Sequence, residues 1–261
     1  MKPPRGLTAL VLAGTRPGGD SLAQHAGVSH KALIEVGGRT MIERVVAALA
    51  AVSELGRIVI AIDRPEVLSG LPGLAAPACP KPVSFMPAAA SPSASVAAAL
   101  EREGTPLLVT TADHALLAPG WLREFLEACP AEADVAVALA RKDAVLACAP
   151  GTKRTFLRFA DGEFSGCNLF CFQSPAALGM VRLWRELEAH RKSPLRMMLQ
   201  LGIGTALRYR FGTLRLQDAL SRLESLSGAK VRIVELADGR AAIDVDKPAD
   251  LELVRVLAAS S

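Results

Sequence analysis

Residues 7–14 read L-T-A-L-V-L-A-G, a short and uninterrupted apolar run that stops at a glycine. Strands in the middle of a parallel sheet have this composition because helices cover both of their faces. A glycine directly after such a run marks the end of the strand and the start of a loop. The stretch therefore predicts a buried first strand of a parallel sheet, followed by a loop that begins at Gly14.

The same kind of apolar run recurs along the chain and alternates with helical periodicity. Further buried strands are predicted at 57–63, 82–86, 106–113 and 134–140. Helices are predicted at 40–55, 93–103 and 119–129, and Thr40 with Glu43 forms a capping box at the start of the first one. Alternating strands and helices build βαβ units, so the sheet is expected to be mostly parallel with helices on both faces.

The pattern changes after residue 145. Two runs at 156–159 and 164–172 flank an Asp-Gly turn and predict an antiparallel hairpin. A helical stretch at 174–226, a strand at 230–236 and a helix at 248–258 complete the chain. The expected fold class is a three-layer α/β/α, Rossmann-like domain with a mostly parallel sheet, a small antiparallel hairpin and a helical insertion at about residues 174–228. Residues 1–261 are expected to form a single domain because no linker or repeat divides them.

Composition excludes several classes of protein. With 51% hydrophobic and 21% charged residues, the 261-residue chain is an ordinary globular protein rather than a disordered one. Aromatic residues make up only 4%, and the net charge of +4 is small, so nucleic acid is not an expected partner. Charges or prolines interrupt each apolar run, and no transmembrane segment is expected. Five scattered cysteines without a C-x-x-C pair argue against a disulfide scaffold and favour a cytoplasmic protein.

The loop after the first strand is a candidate phosphate-binding element. Residues 14–19 read G-T-R-P-G-G, and glycines let backbone N–H groups approach phosphates at the carboxyl end of a strand. The loop is neither a Walker A motif nor G-x-G-x-x-G, and a plain strand-to-helix connection is the alternative. Asp63 ends the second strand as a ribose-binding acid would, although it lies about 50 residues on rather than about 20.

Four charged residues are candidates for phosphate and metal chemistry. Lys31 follows the loop and suits a phosphate as a point charge, with a solvent-exposed loop lysine as the alternative. Asp113 ends a buried strand, where a carboxylate can hold Mg²⁺ or cap the next helix. Asp244 and Asp246 would point to the same side of an extended segment and converge on one cation, with capping of the last helix as the alternative.

Taken in order, these segments resemble the nucleotidyltransferases with a GT-A-like fold. That superfamily includes the MobA-like molybdenum cofactor guanylyltransferases and the sugar- or alcohol-phosphate cytidylyltransferases. The resemblance rests on L-V-L-A-G at 10–14, H-K-A-L-I-E-V-G-G-R-T-M-I-E-R-V-V at 30–46, S-A-S-V-A-A-A-L at 93–100, T-T-A-D-H at 110–114 and D-V-D-K-P-A-D-L at 244–251. It covers nearly the whole chain apart from about 174–228. Each motif is moderately specific, and their order along the chain makes the set strong.

The resemblance implies roles for individual residues. The nucleotide would be bound by Leu12, Ala13, Gly14, Thr15, Arg16, Lys31, Ser93 and Ser95, with the two serines lining the nucleobase pocket. The catalytic residues would be Arg16, which contacts the triphosphate and the departing pyrophosphate, Lys31, which neutralises charge near the α-phosphate, and Asp113. Asp113, Asp246 and Asp244 would hold Mg²⁺, the expected cofactor.

The expected activity is transfer of a nucleoside monophosphate from an NTP to a phosphorylated small molecule, with release of pyrophosphate. The acceptor would be a sugar, polyol or cofactor phosphate. CTP is slightly favoured as donor because of the 93–100 segment, and GTP comes next. Thr15 and the lengthened 14–30 loop depart from the family pattern. Because of this altered loop, a catalytically degenerate nucleotide-binding regulatory protein stays open as an alternative. A GT-A type glycosyltransferase, which has the same fold and would hold a nucleotide-sugar with its acidic pair, is the other alternative.

The segment at 180–215 carries eight basic residues against two acidic ones, with apolar residues between them. A solvated helical face is the first interpretation of this pattern. A cationic lid over the phosphorylated acceptor and a peripheral contact with an anionic membrane surface are the alternatives.

Overall fold

The computed structural model describes residues 6–15, 19–152, 154–189 and 200–259. Within these ranges the strands are β1 (Leu7–Leu12), β2 (Glu35–Val36), β3 (Arg39–Thr40), β4 (Leu55–Ile62), β5 (Val83–Pro87), β6 (Leu107–Thr111), β7 (Val135–Arg141), β8 (Leu157–Phe159), β9 (Gly162–Phe172) and β10 (Val231–Glu235). The helices are α1 (Ser21–His25), α2 (Met41–Ala50), α3 (Pro92–Glu103), α4 (Pro119–Ala128), α5 (Lys142–Cys148), α6 (Ala177–Ala189), α7 (Ile203–Arg210), α8 (Leu216–Ser227) and α9 (Pro248–Ala259).

One sheet, ordered β10-β7-β9-β6-β1-β4-β5, organises the molecule, and β8 pairs with β9. β1 runs parallel to both β4 and β6, and β5 extends the sheet beyond β4 in the same direction. β9 is antiparallel to its neighbours β6 and β7. The predicted mostly parallel sheet is therefore confirmed. Because β1, β4 and β6 are parallel neighbours, their carboxyl ends lie side by side at one edge.

The sheet is covered on both faces, which explains the continuous apolar strands. In β1, Ala9 and Val11 belong to the core that α2 and α4 cover, whereas Leu10 belongs to the core on the other face, under α3 and α6. The three residues are fully buried. The predicted three-layer α/β/α arrangement is thus confirmed, because a strand with two helical layers has no polar face.

β9 is the main difference from the expected topology. The predicted hairpin exists, since Leu157 of β8 pairs with Phe164 of β9. The remainder of β9 continues into the sheet, where Thr110 pairs with Leu169 on one side and Val135 with Phe172 on the other. The strand is 11 residues long, long enough to serve both the hairpin and the sheet. β9 pairs with β6 and β7, which are distant from it in sequence. Local sequence patterns do not encode such a pairing.

Several element boundaries also differ from the predicted ones. The helix predicted at 40–55 ends at Ala50, because Leu55 is buried and begins β4 by pairing with Leu7. The Thr40–Glu43 capping box that opens it is confirmed. A short helix, α1, lies within the loop expected at 14–30, and α5 was not predicted. The helical stretch expected at 174–226 contains α6, α7 and α8, and its residues 190–199 lie outside the described residues.

Two other expectations concern the chain as a whole. In the part of the chain that the structure describes, no helix is long and apolar enough to cross a membrane. All five cysteines are free thiols. The single domain with an insertion at 174–228 stays a prediction.

Candidate active site

Lys31 lies between two carboxylates at the carboxyl edge of the sheet. Its Nζ donates hydrogen bonds to Asp113 Oδ2 at 2.7 Å and to Asp246 Oδ1 at 2.8 Å. Lys31 opens a 3₁₀ turn at 31–33, Asp113 follows β6, and Asp246 precedes α9. Three of the predicted site residues, separated by up to 215 positions in sequence, therefore meet at one nitrogen atom.

Lys31 carries the positive charge of this cluster. Burial lowers the pKa of Lys31, but the charges and hydrogen bonds of Asp113 and Asp246 outweigh burial and raise it above its ordinary value. The ammonium group is therefore ionised throughout the physiological pH range. On the acidic side, Asp113 Oδ1 is buried and has no hydrogen-bond partner among the described residues.

Backbone contacts fix the position of Asp246 relative to Asp113. The amide of Val245 donates to the carbonyl of Asp113 at 3.1 Å, so the two segments run against each other. The amides of Asp246 and Lys247 both donate to Asp250 Oδ2 at 3.1 Å. Asp250 thus satisfies the N–H groups at the start of α9. Capping of this helix is the alternative that the sequence predicts for Asp244 and Asp246. The Asp246 side chain contacts Lys31.

Asp244 has different partners. Arg154 Nη1 lies 2.6 Å from Asp244 Oδ1, and Asn168 Nδ2 donates to Asp244 Oδ2 at 2.5 Å. Both charged side chains of this ion pair are mostly buried, with 14% and 12% of the side-chain surface exposed. Asp244 and Asp246, which the sequence predicts on one side of an extended segment, therefore have different partners in the structure. Asp244 contacts Arg154, and Asp246 contacts Lys31.

Arg154 and Asn168 were not identified from the sequence. Asn168 lies where the pairing of β7 and β9 shifts, between the pairs Val137–Phe170 and Leu139–Gly166. Its φ of 48° is in the left-handed region, which asparagine tolerates better than most residues. This β-bulge directs the Asn168 amide toward Asp244. A bulge depends on the partner strand, so no local signal could have indicated it.

The glycine loop (residues 14–19) starts at the end of β1, so its described residues Gly14 and Thr15 lie at the same edge of the sheet as Asp113, which follows the neighbouring strand β6. The amide of Ala13 donates to the carbonyl of Ala61 at 2.9 Å, and the amide of Thr15 donates to Asp63 Oδ1 at 3.1 Å. A Cβ on Gly14 would lie 2.7 Å from the Ala88 Cβ, so glycine is required by the close approach of two loops. Leu12 precedes them at the end of β1. Arg16 lies outside the described residues, and its predicted role stays a prediction.

Ser93 and Ser95 are both buried in the first turns of α3. Ser95 Oγ accepts a hydrogen bond from the Ala89 amide at 2.9 Å, and Ser93 Oγ contacts Glu188 of α6. These contacts position the 88–92 loop, which packs against Gly14. Their expected part in the nucleobase pocket stays a prediction.

His114 is buried beside Asp113 and stacks on Trp121, with ring centroids 6.1 Å apart. Burial lowers the pKa of His114 to about 4. The imidazole is therefore neutral at neutral pH. The buried ring, stacked on Trp121, forms part of the wall of the site.

A cleft of about 330 Å³ opens next to Asp246. Its lining is polar and includes Arg154, Thr155, Ser165, Asn168 and Lys247. No aromatic side chain of the described residues lines it. Such a cleft suits a small molecule with several hydrogen-bonding groups.

The residues present fit a divalent cation. Among the described residues, no group of three or more His, Cys, Asp and Glu side chains forms a complete metal site. Two carboxylates nevertheless lie within 3 Å of one cationic atom, and Asp113 Oδ1 is a buried oxygen without a partner. Hard cations such as Mg²⁺ bind one or two protein carboxylates and complete their coordination with water and substrate phosphates.

Solved structures show the same fold. A transferase structure from Thermus thermophilus, described as hypothetical, is 30% identical with a TM-score of 0.80, and the match covers 94% of this chain and 99% of that one. CMP:2-keto-3-deoxy-manno-octonic acid synthetase, solved with CTP, is 16% identical with a TM-score of 0.58 over 98% and 99% of the two chains. The 4-diphosphocytidyl-2C-methyl-D-erythritol synthase of Anaerococcus prevotii is 12% identical with a TM-score of 0.54 over 97% and 98%.

Sequence comparison adds the family. Among curated proteins, none matches this chain. The family model of the MobA-like NTP transferase domain matches residues 9–208. That range contains the glycine loop, Lys31 and Asp113, and it makes up most of the chain. The chain therefore belongs to the MobA-like NTP transferase domain family of nucleotidyltransferases.

Proposed function

We propose that this protein transfers CMP from CTP to a phosphorylated small-molecule acceptor, with Mg²⁺ as cofactor and pyrophosphate as the second product. The observation that carries the proposal is the contact of Lys31 with Asp113 and Asp246 beside the glycine loop. A lysine and two carboxylates can gather a polyphosphate and its counter-cation at one point. The transferase family supports the reaction class.

The reaction needs charge neutralisation more than acid–base catalysis. An oxygen of the acceptor phosphate attacks the α-phosphorus of the nucleotide, and the bond from that phosphorus to the pyrophosphate oxygen breaks. A phosphate monoester is already ionised at neutral pH, so no side chain has to remove a proton. Two anions must instead be brought together, and the ammonium of Lys31 lowers the electrostatic cost of their approach.

Asp113 and Asp246 are the residues that would hold Mg²⁺. When bound, the cation would screen the negative charge of the phosphates. Lys31 would then be free to turn from the carboxylates to the α-phosphate. Asp244 is a weaker candidate ligand because Arg154 and Asn168 already occupy its two oxygens.

Cytidine is favoured as the nucleoside for two reasons. The segment at 93–100 resembles the nucleobase segment of the cytidylyltransferases, and Ser95 holds the 88–92 loop beside the glycine loop. Two of the similar structures are named for cytidylyl products, one of them solved with CTP. The acceptor would lie in the polar cleft at Arg154 and Lys247, whose size and lining suit a sugar or polyol phosphate.

Nucleotide-dependent stability tests the donor. The unfolding temperature would be measured with ATP, CTP, GTP and UTP, each with and without Mg²⁺. A nucleotide at 100 times its Kd stabilises the folded state by about 2.7 kcal/mol, so CTP with Mg²⁺ should give the largest increase. No increase with any nucleotide would contradict the proposal.

Pyrophosphate release then tests the reaction. CTP would be supplied with a panel of sugar and polyol phosphates, and the variant Asp113→Asn would be compared with Asp143→Asn, an exposed carboxylate outside the site. We expect release with one class of acceptor, its loss in Asp113→Asn and its retention in the control. Equal rates in Mg²⁺ and in EDTA would contradict the metal assignment.

A further inference from the structure

Asp63 is a charged residue at the site edge that the proposed reaction leaves without a role. It follows β4, the parallel neighbour of β1, and its Oδ1 accepts the hydrogen bond of the Thr15 amide at 3.1 Å. The side chain remains 39% exposed. Asp63 therefore touches the predicted nucleotide loop and still presents part of its carboxylate to solvent.

The buried His30 holds this carboxylate from the other side. His30 Nε2 lies 3.3 Å from Asp63 Oδ2, and His30 Nδ1 lies 3.1 Å from Ser29 Oγ. His30 is only 1% exposed, so it cannot follow the carboxylate into solvent. Thr15 and His30 stand near the two ends of the 14–30 loop, and Asp63 joins them. Its orientation is thus fixed before any ligand arrives.

Asp63 carries a negative charge at neutral pH. Burial raises its pKa, but the hydrogen bonds from the Thr15 amide and from His30 outweigh burial and lower it below its ordinary value. An ionised carboxylate repels a triphosphate. It binds hydrogen-bond donors strongly, and the donors that a ribonucleotide offers near a strand end are its ribose hydroxyls.

The position of Asp63 in the sheet also indicates a contact with the ribose. In dinucleotide-binding folds, an acidic residue ends the strand next to the glycine-loop strand and accepts hydrogen bonds from ribose hydroxyls. The sequence separation of about 50 residues argued against this role for Asp63. The structure explains the separation, because β2, β3 and α2 intervene between Gly14 and β4 while β4 remains the direct neighbour of β1.

We propose that Asp63 binds the ribose 2′-hydroxyl of the nucleotide and selects ribonucleotides over deoxyribonucleotides. The assignment rests on the proposed function, since it requires a nucleotide in the glycine loop. His30 is a positioning residue in this arrangement, because its buried ring contacts the Asp63 carboxylate through Nε2 and acts on the nucleotide only through Asp63.

The test compares the affinities of CTP and 2′-deoxy-CTP by titration calorimetry in Mg²⁺. A hydrogen bond to a charged group is expected to give the wild-type protein an about ten- to hundredfold preference for CTP. In Asp63→Ala the preference should fall to about onefold. Asp63→Asn keeps an oxygen for the Thr15 amide and should give an intermediate preference, which preserves the test if the alanine variant does not fold.

Asp20→Asn is the matched control. Asp20 lies in the same loop, and its Oδ1 accepts hydrogen bonds from the amides of Leu22 and Ala23 at 2.9 and 3.0 Å. This variant should change the affinities for CTP and for 2′-deoxy-CTP by the same factor and leave their ratio unchanged.

Three results would overturn the assignment. The first is an unchanged ratio in Asp63→Ala, which would make Asp63 a loop contact only. The second is a wild-type protein that binds CTP and 2′-deoxy-CTP equally well. The third is an Asp63→Ala variant in which the order of preference among the four nucleobases changes while the preference for CTP over 2′-deoxy-CTP does not. A wild-type protein that binds neither nucleotide would contradict the proposed function together with this inference.

Discussion

Lys31 shows how a single residue can join its own segment to two distant ones. Its ammonium contacts carboxylates that follow β6 and precede α9, and both contacts are shorter than 3 Å. Removing the lysine would leave two carboxylates close together with no positive charge between them, which is costly in a partly buried site. Removal of the Lys31 charge should therefore lower both the turnover rate and the free energy of unfolding.

Replacing Lys31 with methionine keeps the length of the side chain and removes the charge. We expect kcat for pyrophosphate release to fall by about 10²- to 10³-fold, the usual effect of losing one electrostatic contact to a transition state. Steady-state kinetics would measure it, with circular dichroism to verify folding. Lys230→Met, at an exposed lysine, should retain the wild-type rate. Wild-type turnover in Lys31→Met would rule out its catalytic role.

Gly14 is a second residue whose identity the structure explains. A Cβ at this position would lie 2.7 Å from the Ala88 Cβ, and neither atom is the end of a flexible side chain. Gly14→Ala should therefore separate the two loops, reduce the free energy of unfolding by about 1–3 kcal/mol and weaken nucleotide binding. Denaturant unfolding and calorimetry would measure the two effects. Gly120→Ala, with no atom within 4 Å of the new Cβ, should leave nucleotide binding unchanged and should not reduce the free energy of unfolding.

At the scale of elements, α6 and α8 pack unusually closely at one point. A Cβ added to Gly179 of α6 would lie 2.0 Å from the Ser227 carbonyl oxygen at the end of α8. Backbone cannot move aside as a side chain can, so this contact requires glycine. It also links α6 to α8, the helices before and after the part of the chain that carries most of the basic residues of the 180–215 segment.

Gly179→Ala should consequently destabilise the protein by about 1–3 kcal/mol, the usual cost of overpacking. Gly204→Ala in α7 is the matched control, because a Cβ there meets no atom within 4 Å. Gly204 is the second residue of α7, and alanine is favoured over glycine in helices by up to about 1 kcal/mol, so the control should be neutral or stabilising. Urea unfolding of both variants measures the difference, and equal midpoints would disprove the close packing.

At the scale of the whole molecule, Asp134 connects segments from three parts of the chain. Oδ2 accepts a hydrogen bond from the Lys230 amide at 2.7 Å, Oδ1 contacts the Ser174 hydroxyl, and the Asp134 carbonyl accepts the Gln173 amide at 2.8 Å. The start of β7, the end of β9 and the start of β10 thus meet at one aspartate. The hydrogen bonds from Ser174 and the Lys230 amide lower the pKa of Asp134.

This lowered pKa predicts a pH-dependent contribution to stability. A carboxyl group whose pKa is lower in the folded state stabilises the fold above its unfolded pKa of about 3.9, and the contribution is lost as pH falls through the folded value. Asp134→Asn should reduce the free energy of unfolding by about 1 kcal/mol at pH 7, and the deficit should shrink at pH 3. The exposed Asp143→Asn is the control. A deficit equal at both pH values would contradict the prediction.

The strands, the layers and the main charged residues of the candidate site could be predicted from the sequence. Apolar runs such as 7–13 are local consequences of burial on two faces, and a lysine or aspartate next to such a run is visible without a structure. The motifs at 30–46 and 110–114 belong to single segments, so their resemblance to a family could be recognised in order along the chain.

The contacts between these residues could not be predicted, because they form only when the chain folds. The place of β9 between β6 and β7, the bulge that turns Asn168 toward Asp244, and the contact of Asp63 with Thr15 all depend on segments far apart in sequence. Pairing between distant strands is set by the packing of the whole core and not by local propensity. For the same reason, the sequence could place Asp244 and Asp246 on one extended segment, and folding alone gave them separate partners.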